Sequence, residues 1–203
     1  RALYEAMRVG AAANVVAGTI HAASPYGVFD RVVNDIGVPP TSFKATDLIV
    51  IVNPIRTAAG TRRQRRVLQI TEVRKTWQKD PLKENGFVDL MTYNPIKDTL
   101  EITDELRNGN SEVLKDIAGR IKEYAGKWDA VWENILLRAD IKQSIVDLAR
   151  KTKNFDLLEA PFVTLSNDVF HSILESVKQE VGEIDSKRVL FQFNDWMKRA
   201  AKQ

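Results

Sequence analysis

The sequence predicts an α/β protein followed by a helical domain, and three observations support this fold class. Helical segments alternate with largely apolar, strand-like segments over residues 1–54, which is typical of a parallel sheet covered by helices. Strand-like stretches separated by turn residues follow over residues 61–103. From Ser111 to the end, apolar residues recur at helical spacing. The predicted divisions are an α/β part, an antiparallel hairpin with its linker, and a helical domain, over residues 1–78, 79–110 and 111–203.

Two apolar runs are the predicted strands of the α/β part. Val15–Ile20 is nearly all apolar, which suits a strand buried on both faces of a parallel sheet. Ser24 and Pro25 are predicted to cap and begin a helix that stops at Gly37. Asp47–Val52 is the second predicted strand; it is wholly apolar from Leu48 onward and is ended by an Asn-Pro pair.

The remaining elements are predicted from alternation and from helical stripes. Three strand-like stretches indicate an antiparallel meander on the edge of the sheet: Thr61–Trp77, Phe87–Tyr93 and Thr99–Thr103. Four amphipathic helices follow and predict a small bundle. Their apolar stripes begin at Val113, Trp128, Val169 and Val189.

Composition is that of an ordinary globular protein, and it excludes several kinds of site. The 203 residues are 44% hydrophobic and 28% charged, which argues against disorder. The lack of cysteine excludes disulfides and thiolate chemistry, and only two histidines, His21 and His171, argue against a zinc site. The longest apolar runs fall far below the roughly 20 residues of a membrane-spanning helix, so we expect a cytoplasmic protein, or at most one docked on a membrane.

Charge and the first residues both suggest a composite chain. Residues 1–78 contain 11 Lys/Arg against 5 Asp/Glu, whereas residues 79–203 contain 19 against 22. The two parts have net charges of +6 and −3 and are therefore expected to have different roles. The first predicted helix, Ala2–Ala13, has no capping residue ahead of it. We therefore expect Arg1 to be a cut within a helix of a longer polypeptide; a processed terminus is the alternative.

Candidate binding residues lie at the end of the first predicted strand. Ligands of open α/β sheets bind beyond the carboxyl ends of the strands, where Thr19 and His21 are placed. His21 either contacts a ligand or only hydrogen-bonds its own loop. Glu5 and Arg8 are three residues apart on the first predicted helix, which is also the spacing of a surface ion pair. Neither GxGxxG nor GxxxxGK[ST] occurs, so the sequence has no usual phosphate-binding loop.

The densest charge run is Arg62, Arg63, Arg65 and Arg66, on the long predicted strand. These arginines could contact phosphate, nucleic acid or an acidic partner surface. Charge that protects an edge strand against aggregation is an equally good interpretation.

The segment Glu5–Pro54 resembles the latter part of the ATPase core of the secretion ATPase superfamily. It reads EAMRVGAAANVVAGTIHAASPYGVFDRVVNDIGVPPTSFKATDLIVIVNP. The similarity is to the archaeal branch of type II and type IV secretion ATPases, and it continues through Arg65–Trp77. These P-loop NTPases are the motors of pilus and archaellum assembly and of protein export. The family's histidine box, GT(I/L/M)H, is present as Gly18–His21, and the helical tail resembles the archaeal C-terminal extension only loosely.

The resemblance implies a fold and an activity for the parent protein. Residues 1–78 would be the C-terminal part of a RecA-like P-loop ATPase core. The parent would hydrolyse ATP with Mg²⁺ to drive assembly or transport. It would work as a homohexameric ring, peripheral at the cytoplasmic face of a membrane and engaged with the membrane platform protein of a secretion or pilus system. Nucleic acid is not expected as a partner.

The resemblance also implies roles for individual residues. His21 would be the catalytic residue that senses the terminal phosphate and relays nucleotide state to the neighbouring subunit. Thr19 would position the nucleotide or its loop, and the cofactor-binding set would be completed by Arg31, Glu5 and Arg8, behind the nucleotide or at the subunit contact. The family's Walker A loop, acidic box and Walker B glutamate have no counterpart in this sequence. ATP and Mg²⁺ are therefore expected in the intact parent, and this chain alone is expected to be inactive.

Two further functions are left open by the residues. The chain could be a non-catalytic interaction or assembly module that docks through its helical bundle and its basic strand. Nucleic-acid binding through the arginines is the third and least favoured alternative, and it would require an affinity that falls steeply with salt.

Overall fold

A four-stranded antiparallel sheet organises the first part of the chain in the computed structural model, which describes residues 2–9, 15–56 and 63–200. The strands follow one another in the sheet in chain order, as in a meander. They are β1 (Leu48–Arg56), β2 (Arg63–Val73), β3 (Phe87–Asn94) and β4 (Thr99–Ile102). The chain divides into two units, Arg1–Arg120 and Ile121–Gln203. The mixed α/β class and the antiparallel meander are confirmed.

The predicted parallel arrangement of the α/β part is wrong. β1, the second predicted strand, pairs antiparallel with β2 along its whole length. Only residues 57–62 separate these two strands in the sequence, and so short a connection can join antiparallel neighbours but not parallel ones, which need a crossover of a dozen or more residues. β1 also continues past Val52 through Pro54; a proline is tolerated there because β1 lies at the end of the sheet order.

The predicted strand Val15–Ile20 is also wrong. This run has no regular secondary structure, and all six residues are exposed, with Val15 at 96%. An apolar run forms a buried strand only where neighbouring strands satisfy its backbone groups on both sides, and none of the described strands pairs with it. The run instead forms part of the irregular segment that leads into the helix that follows.

Short helices surround the sheet in the first unit. They are α1 (Ala2–Val9), α2 (Pro25–Asp30), α3 (Pro40–Phe43), α4 (Asp104–Arg107) and α5 (Glu112–Gly119). The predicted start of α2 is confirmed, because the Ser24 hydroxyl accepts a hydrogen bond from the Gly27 amide at 3.0 Å. α2 continues as a π-helical turn, Arg31–Asp35, and the segment ends at Gly37, whose φ of 71° favours glycine. The part of the predicted first helix beyond Val9 lies outside the described residues.

The core of the first unit covers one face of the sheet. Phe29 packs edge-on against Phe43, with ring centroids 5.2 Å apart, and against Trp77 at 5.6 Å. All three rings are buried, and the alternate β1 residues Ile49 and Ile51 meet them from the sheet. These contacts attach α2 and α3 to the face of the sheet on which Ile49 and Ile51 lie.

A buried carboxylate attaches α5 to the opposite face. Glu72 is fully buried and accepts hydrogen bonds from the Ser111 hydroxyl and from the Glu112 amide, the latter at 2.9 Å. Arg74 pairs with the same carboxylate at 3.0 Å. Because a carboxylate is stabilised at a helix N-terminus, this contact holds α5 within the first unit. The first of the four predicted bundle helices therefore belongs with the sheet.

The second unit consists of three long helices around one apolar core. They are α6 (Trp128–Thr152), α7 (Ala160–Val181) and α8 (Ser186–Ala200), with a 3-10 turn at Phe155–Leu158. Val177, Val189 and Phe193 are fully buried at the centre of this core. Across the described part of the chain, no helix is both long enough and apolar enough to traverse a bilayer.

Candidate functional site

The segment Gly18–His21 lies on the surface, directly ahead of the Ser24 cap of α2. The side chains of Thr19 and His21 are both exposed. α1 borders the segment, since a Cβ added at Gly18 would lie 3.6 Å from Cδ2 of Leu3. The GTIH segment is thus presented on an open loop, where a ligand can reach it.

Arg31 is the residue that ties this loop to the helical segment behind it. Its Nη1 donates a hydrogen bond to the main-chain carbonyl of His21 at 3.1 Å. The contact uses the backbone of His21, and the imidazole makes no hydrogen bond to any described residue. Arg31 opens the π-helical turn, and such turns occur often at functional sites. His21 and Arg31 are therefore brought together, with the ring directed to no partner in its own loop.

Glu5 and Arg8, the remaining site residues suggested by the sequence, lie on α1. The Glu5 carboxylate accepts a hydrogen bond from the Ser42 hydroxyl at 3.4 Å, which links α1 to α3. Tyr4 supports the same link by stacking on Phe43, with ring centroids 6.3 Å apart. The side chain of Arg8 lies outside the described part of the structure. Glu5 thus helps to hold α1 in place beside the Gly18–His21 segment.

The chemistry of this site suits an anion. His21, Thr19 and Arg31 offer an imidazole, a hydroxyl and a guanidinium, which are donors to phosphate oxygens. Mg²⁺ prefers carboxylate and other oxygen ligands, and these three side chains include no carboxylate. Among the residues that the structure describes, no group of three or more His, Asp or Glu could hold a metal ion. The residues fit the edge of a phosphate group and do not fit the metal.

The arginines of β2 fall into two groups, one paired and the other exposed. Arg66 makes a bidentate ion pair with Asp98, both N–O distances being 2.7 Å, and so fastens β2 to the turn between β3 and β4. Arg63 and Arg65 are exposed and have no ion-pair partner among the described residues. Arg62 lies outside the described residues. Asp98 has a φ of 52°, which suits its place in the turn, but no local pattern indicates its pairing with Arg66, 32 residues earlier in the chain.

We expect the carboxyl pKa of Asp98 to lie well below its ordinary value of 3.8. Hydrogen bonds from Arg66 and then from the Tyr93 hydroxyl, at 2.6 Å, are the main causes. Because the folded pKa is depressed, the pairing stabilises the fold above about pH 4 and is lost as the pH falls towards the folded pKa. An NMR titration of the Asp98 carboxyl measures this directly. In Arg66→Gln the pKa should rise towards 3.8, and an unchanged pKa would show that Arg66 is not the cause.

Comparison with other proteins gives no family for this chain. No known protein-family model matches the sequence, and no curated protein matches it. What the site does is therefore inferred from its residues and their contacts.

Proposed function

We propose that the chain is the C-terminal part of a secretion-type motor ATPase, and that Gly18–His21 with Arg31 forms its nucleotide-sensing edge. The motif GTIH supports this function by its resemblance to the histidine box of the archaeal secretion ATPases. The observation that carries the proposal is the hydrogen bond from Arg31 to the carbonyl of His21. The RecA-like origin of the first unit is part of the same proposal.

The contact between Arg31 and His21 suggests how nucleotide state is relayed. An imidazole can donate to a terminal phosphate oxygen when the phosphate is present and lose that bond after hydrolysis. Because Arg31 holds the backbone of the same residue, a displacement of His21 is transmitted to the π-helical turn and to α2. Thr19 contributes a hydroxyl two residues before the imidazole and helps to orient the phosphate. The loop thus acts as a sensor whose output is the position of α2.

Hydrolysis itself requires groups that this sequence does not contain. A P-loop lysine, its hydroxyl residue and Mg²⁺ neutralise the charge that develops on the transferred phosphoryl group. His21, Thr19 and Arg31 cannot replace these groups, since none of them cradles the β-phosphate or ligates the metal. We assign hydrolysis to the parent protein, in a ring at the cytoplasmic face of a membrane, and assign to this chain the sensing of its outcome.

The test of the proposal is His21→Ala in the full-length natural polypeptide that contains this sequence. Loss of a donor to the reacting phosphate should lower steady-state ATP turnover by about 10²–10³-fold. His171→Ala is the matched control, because His171 is the only other histidine and is exposed on α7. ATP turnover that survives His21→Ala as fully as it survives His171→Ala would refute the sensor function.

Arg31 gives a second measurement of the same relay. In Arg31→Gln, nucleotide should still bind, whereas the increase in turnover on ring assembly should be lost because the loop is no longer attached to α2. Binding and ring-dependent turnover are measured separately. A variant that loses both in equal proportion would indicate that Arg31 acts on binding and not on the relay.

A second candidate function is a non-catalytic interaction module. It is supported by the exposed arginines Arg63 and Arg65 and by Phe191, a large apolar side chain that is 74% exposed on α8. In this function the protein would bind its partner equally well with and without nucleotide. Two results together would favour the module over the motor. The natural polypeptide would show no ATP turnover, and its His21→Ala variant would still bind the partner.

A further inference from the structure

The second face of the sheet carries an exposed apolar stripe on β1. Leu48, Val50 and Val52 are 46%, 52% and 52% exposed, whereas the intervening Ile49 and Ile51 are buried in the core of the first unit. Side chains alternate along a strand, so the three exposed residues lie on one face. Aliphatic side chains that form a contiguous exposed patch usually mark an interaction surface.

Two arginines extend this stripe on the same face. The register of β1 with β2 sets Val52 opposite Val67 and Pro54 opposite Arg65, so Arg65 shares the face of Val52. Arg63 lies two residues further along β2, on the same side. Both arginines are exposed and lack an ion-pair partner among the described residues. We call the three aliphatic residues and these two arginines the β1 face.

The dimensions of the β1 face match one face of a helix. Alternate residues of a strand are about 6.7 Å apart, so the aliphatic stripe is about 13 Å long and the first arginine follows about 7 Å beyond it. Residues at i, i+4 and i+8 of an α-helix are about 6 Å apart along its axis and lie on nearly one side. A helix along β1 could therefore place three apolar residues on the stripe and acidic residues against the arginines.

We propose that the β1 face binds an amphipathic α-helix of a partner protein, whose apolar stripe ends in acidic residues. Charge complementarity with Arg63 and Arg65 determines the acidic end and the direction of the helix. A bilayer is a poorer match, because the aliphatic side chains are only half-exposed and include no aromatic residue that could insert. Addition of a partner strand to β1 is also a poorer match, because Pro54 removes a donor from that strand.

The probe is a pair of labelled synthetic peptides of about 16 residues with the same leucine stripe, one ending in two glutamates and the other in two lysines. The acidic peptide should bind the chain about tenfold more tightly at low salt, and the difference should shrink as salt is raised. Fluorescence anisotropy measures both affinities, and circular dichroism reports helix formation on binding. Equal affinities for the two peptides, no binding up to about 1 mM, or an extended bound peptide would each overturn the proposal.

Variants of the chain locate the binding site. Val50→Lys should weaken binding of the acidic peptide about tenfold or more, whereas Ile96→Lys should leave it unchanged, since Ile96 is 94% exposed on the turn between β3 and β4. Val50→Thr keeps the β-branched shape and gives a second, milder variant should lysine disturb the strand. Equal affinities in the Val50 and Ile96 variants would show that the peptide binds elsewhere.

Charge reversal tests the direction of the helix. The double variant Arg63→Glu, Arg65→Glu should prefer the lysine-ended peptide, reversing the order of the two affinities. If the unmodified chain instead binds vesicles that contain phosphatidylserine, and Val50→Lys abolishes that binding while the acidic peptide fails to bind, the β1 face binds a bilayer and the proposal is wrong. His21→Ala should bind the acidic peptide like the unmodified chain, so this inference stands or falls independently of the nucleotide sensor.

Discussion

Glu72→Ala should destabilise the protein by about 3–5 kcal/mol, as expected when one partner of a buried charged network is removed. The carboxylate of Glu72 is fully buried and accepts from the Ser111 hydroxyl and from the amides of Glu112 and Val113. The substitution leaves these donors without an acceptor, and Arg74, whose side chain is 11% exposed, keeps only the exposed carboxylate of Glu112 as an ion-pair partner, besides its hydrogen bond to the Asn110 carbonyl. The midpoint of urea unfolding, followed by circular dichroism, measures the loss.

Two companion variants separate the charge of Glu72 from its shape. Glu72→Gln retains one acceptor oxygen and should cost less, about 1–3 kcal/mol, because the helix start loses a charge-assisted bond but not every bond. Glu105→Ala, on the exposed surface of α4, should change stability little. If Glu72→Ala proves no more harmful than Glu105→Ala, the network does not hold α5.

Phe193→Ala should destabilise the helical unit by about 3–5 kcal/mol, the usual loss for a buried phenylalanine. Phe193 is fully buried among α6, α7 and α8, and its ring lies 5.3 Å from that of Trp196. The truncation removes apolar contacts and leaves a cavity that rigid helices cannot close. Thermal unfolding followed by the helical circular dichroism signal is the direct measurement.

Phe191 is the matched control on the same helix. It lies two residues before Phe193 on α8 but is 74% exposed, so Phe191→Ala removes the same atoms without opening a cavity. Its stability should be close to that of the unmodified chain, and Phe193→Leu should fall in between. Equal effects of the two alanine substitutions would contradict the described core of the second unit.

Local chemistry in the sequence was sufficient to predict the meander and the helices. Alternation and turn residues predicted strands close to β3 and β4, and the Ser-Pro pair predicted the start of α2 at the residue where it occurs. These features depend on residues within a few positions of one another, so they can be recognised as local patterns in the sequence. The three long helices of the second unit were predicted for the same reason, since an amphipathic stripe repeats along each of them.

The apolar runs were harder to interpret, because an apolar run predicts burial but does not indicate which element of the fold will cover it or pair with it. Val15–Ile20 and β1 look alike as sequences, yet the first is an exposed loop and the second is a strand with one exposed face. The difference arises because β1 has β2 only six connecting residues away, whereas Val15–Ile20 has no described strand beside it. A run of this kind becomes a strand only when another strand supplies hydrogen bonds.

The candidate site was predicted as a set of residues and not as an arrangement. The resemblance of GTIH to a histidine box grouped Thr19 with His21, and Arg31 followed from the same resemblance. That Arg31 contacts the carbonyl of His21, and that Glu5 contacts Ser42 on another helix, could not be read from spacing. The first contact depends on how the loop at His21 lies against the π-helical turn, and the second on how α1 packs against α3.

By itself, the sequence determined the mixed class of the fold, the order of its helices and hairpins, and the presence of a GTIH motif without a phosphate loop. Only the tertiary structure decided that β1 pairs antiparallel, that Glu72 fastens α5 to the sheet, and that Leu48, Val50 and Val52 share an exposed face with Arg63 and Arg65. The physical reason is the distance along the chain between the residues that interact. Capping, periodicity and turns are decided by residues close in the chain, whereas strand direction, buried ion pairs and surface patches are decided by residues that meet only after folding.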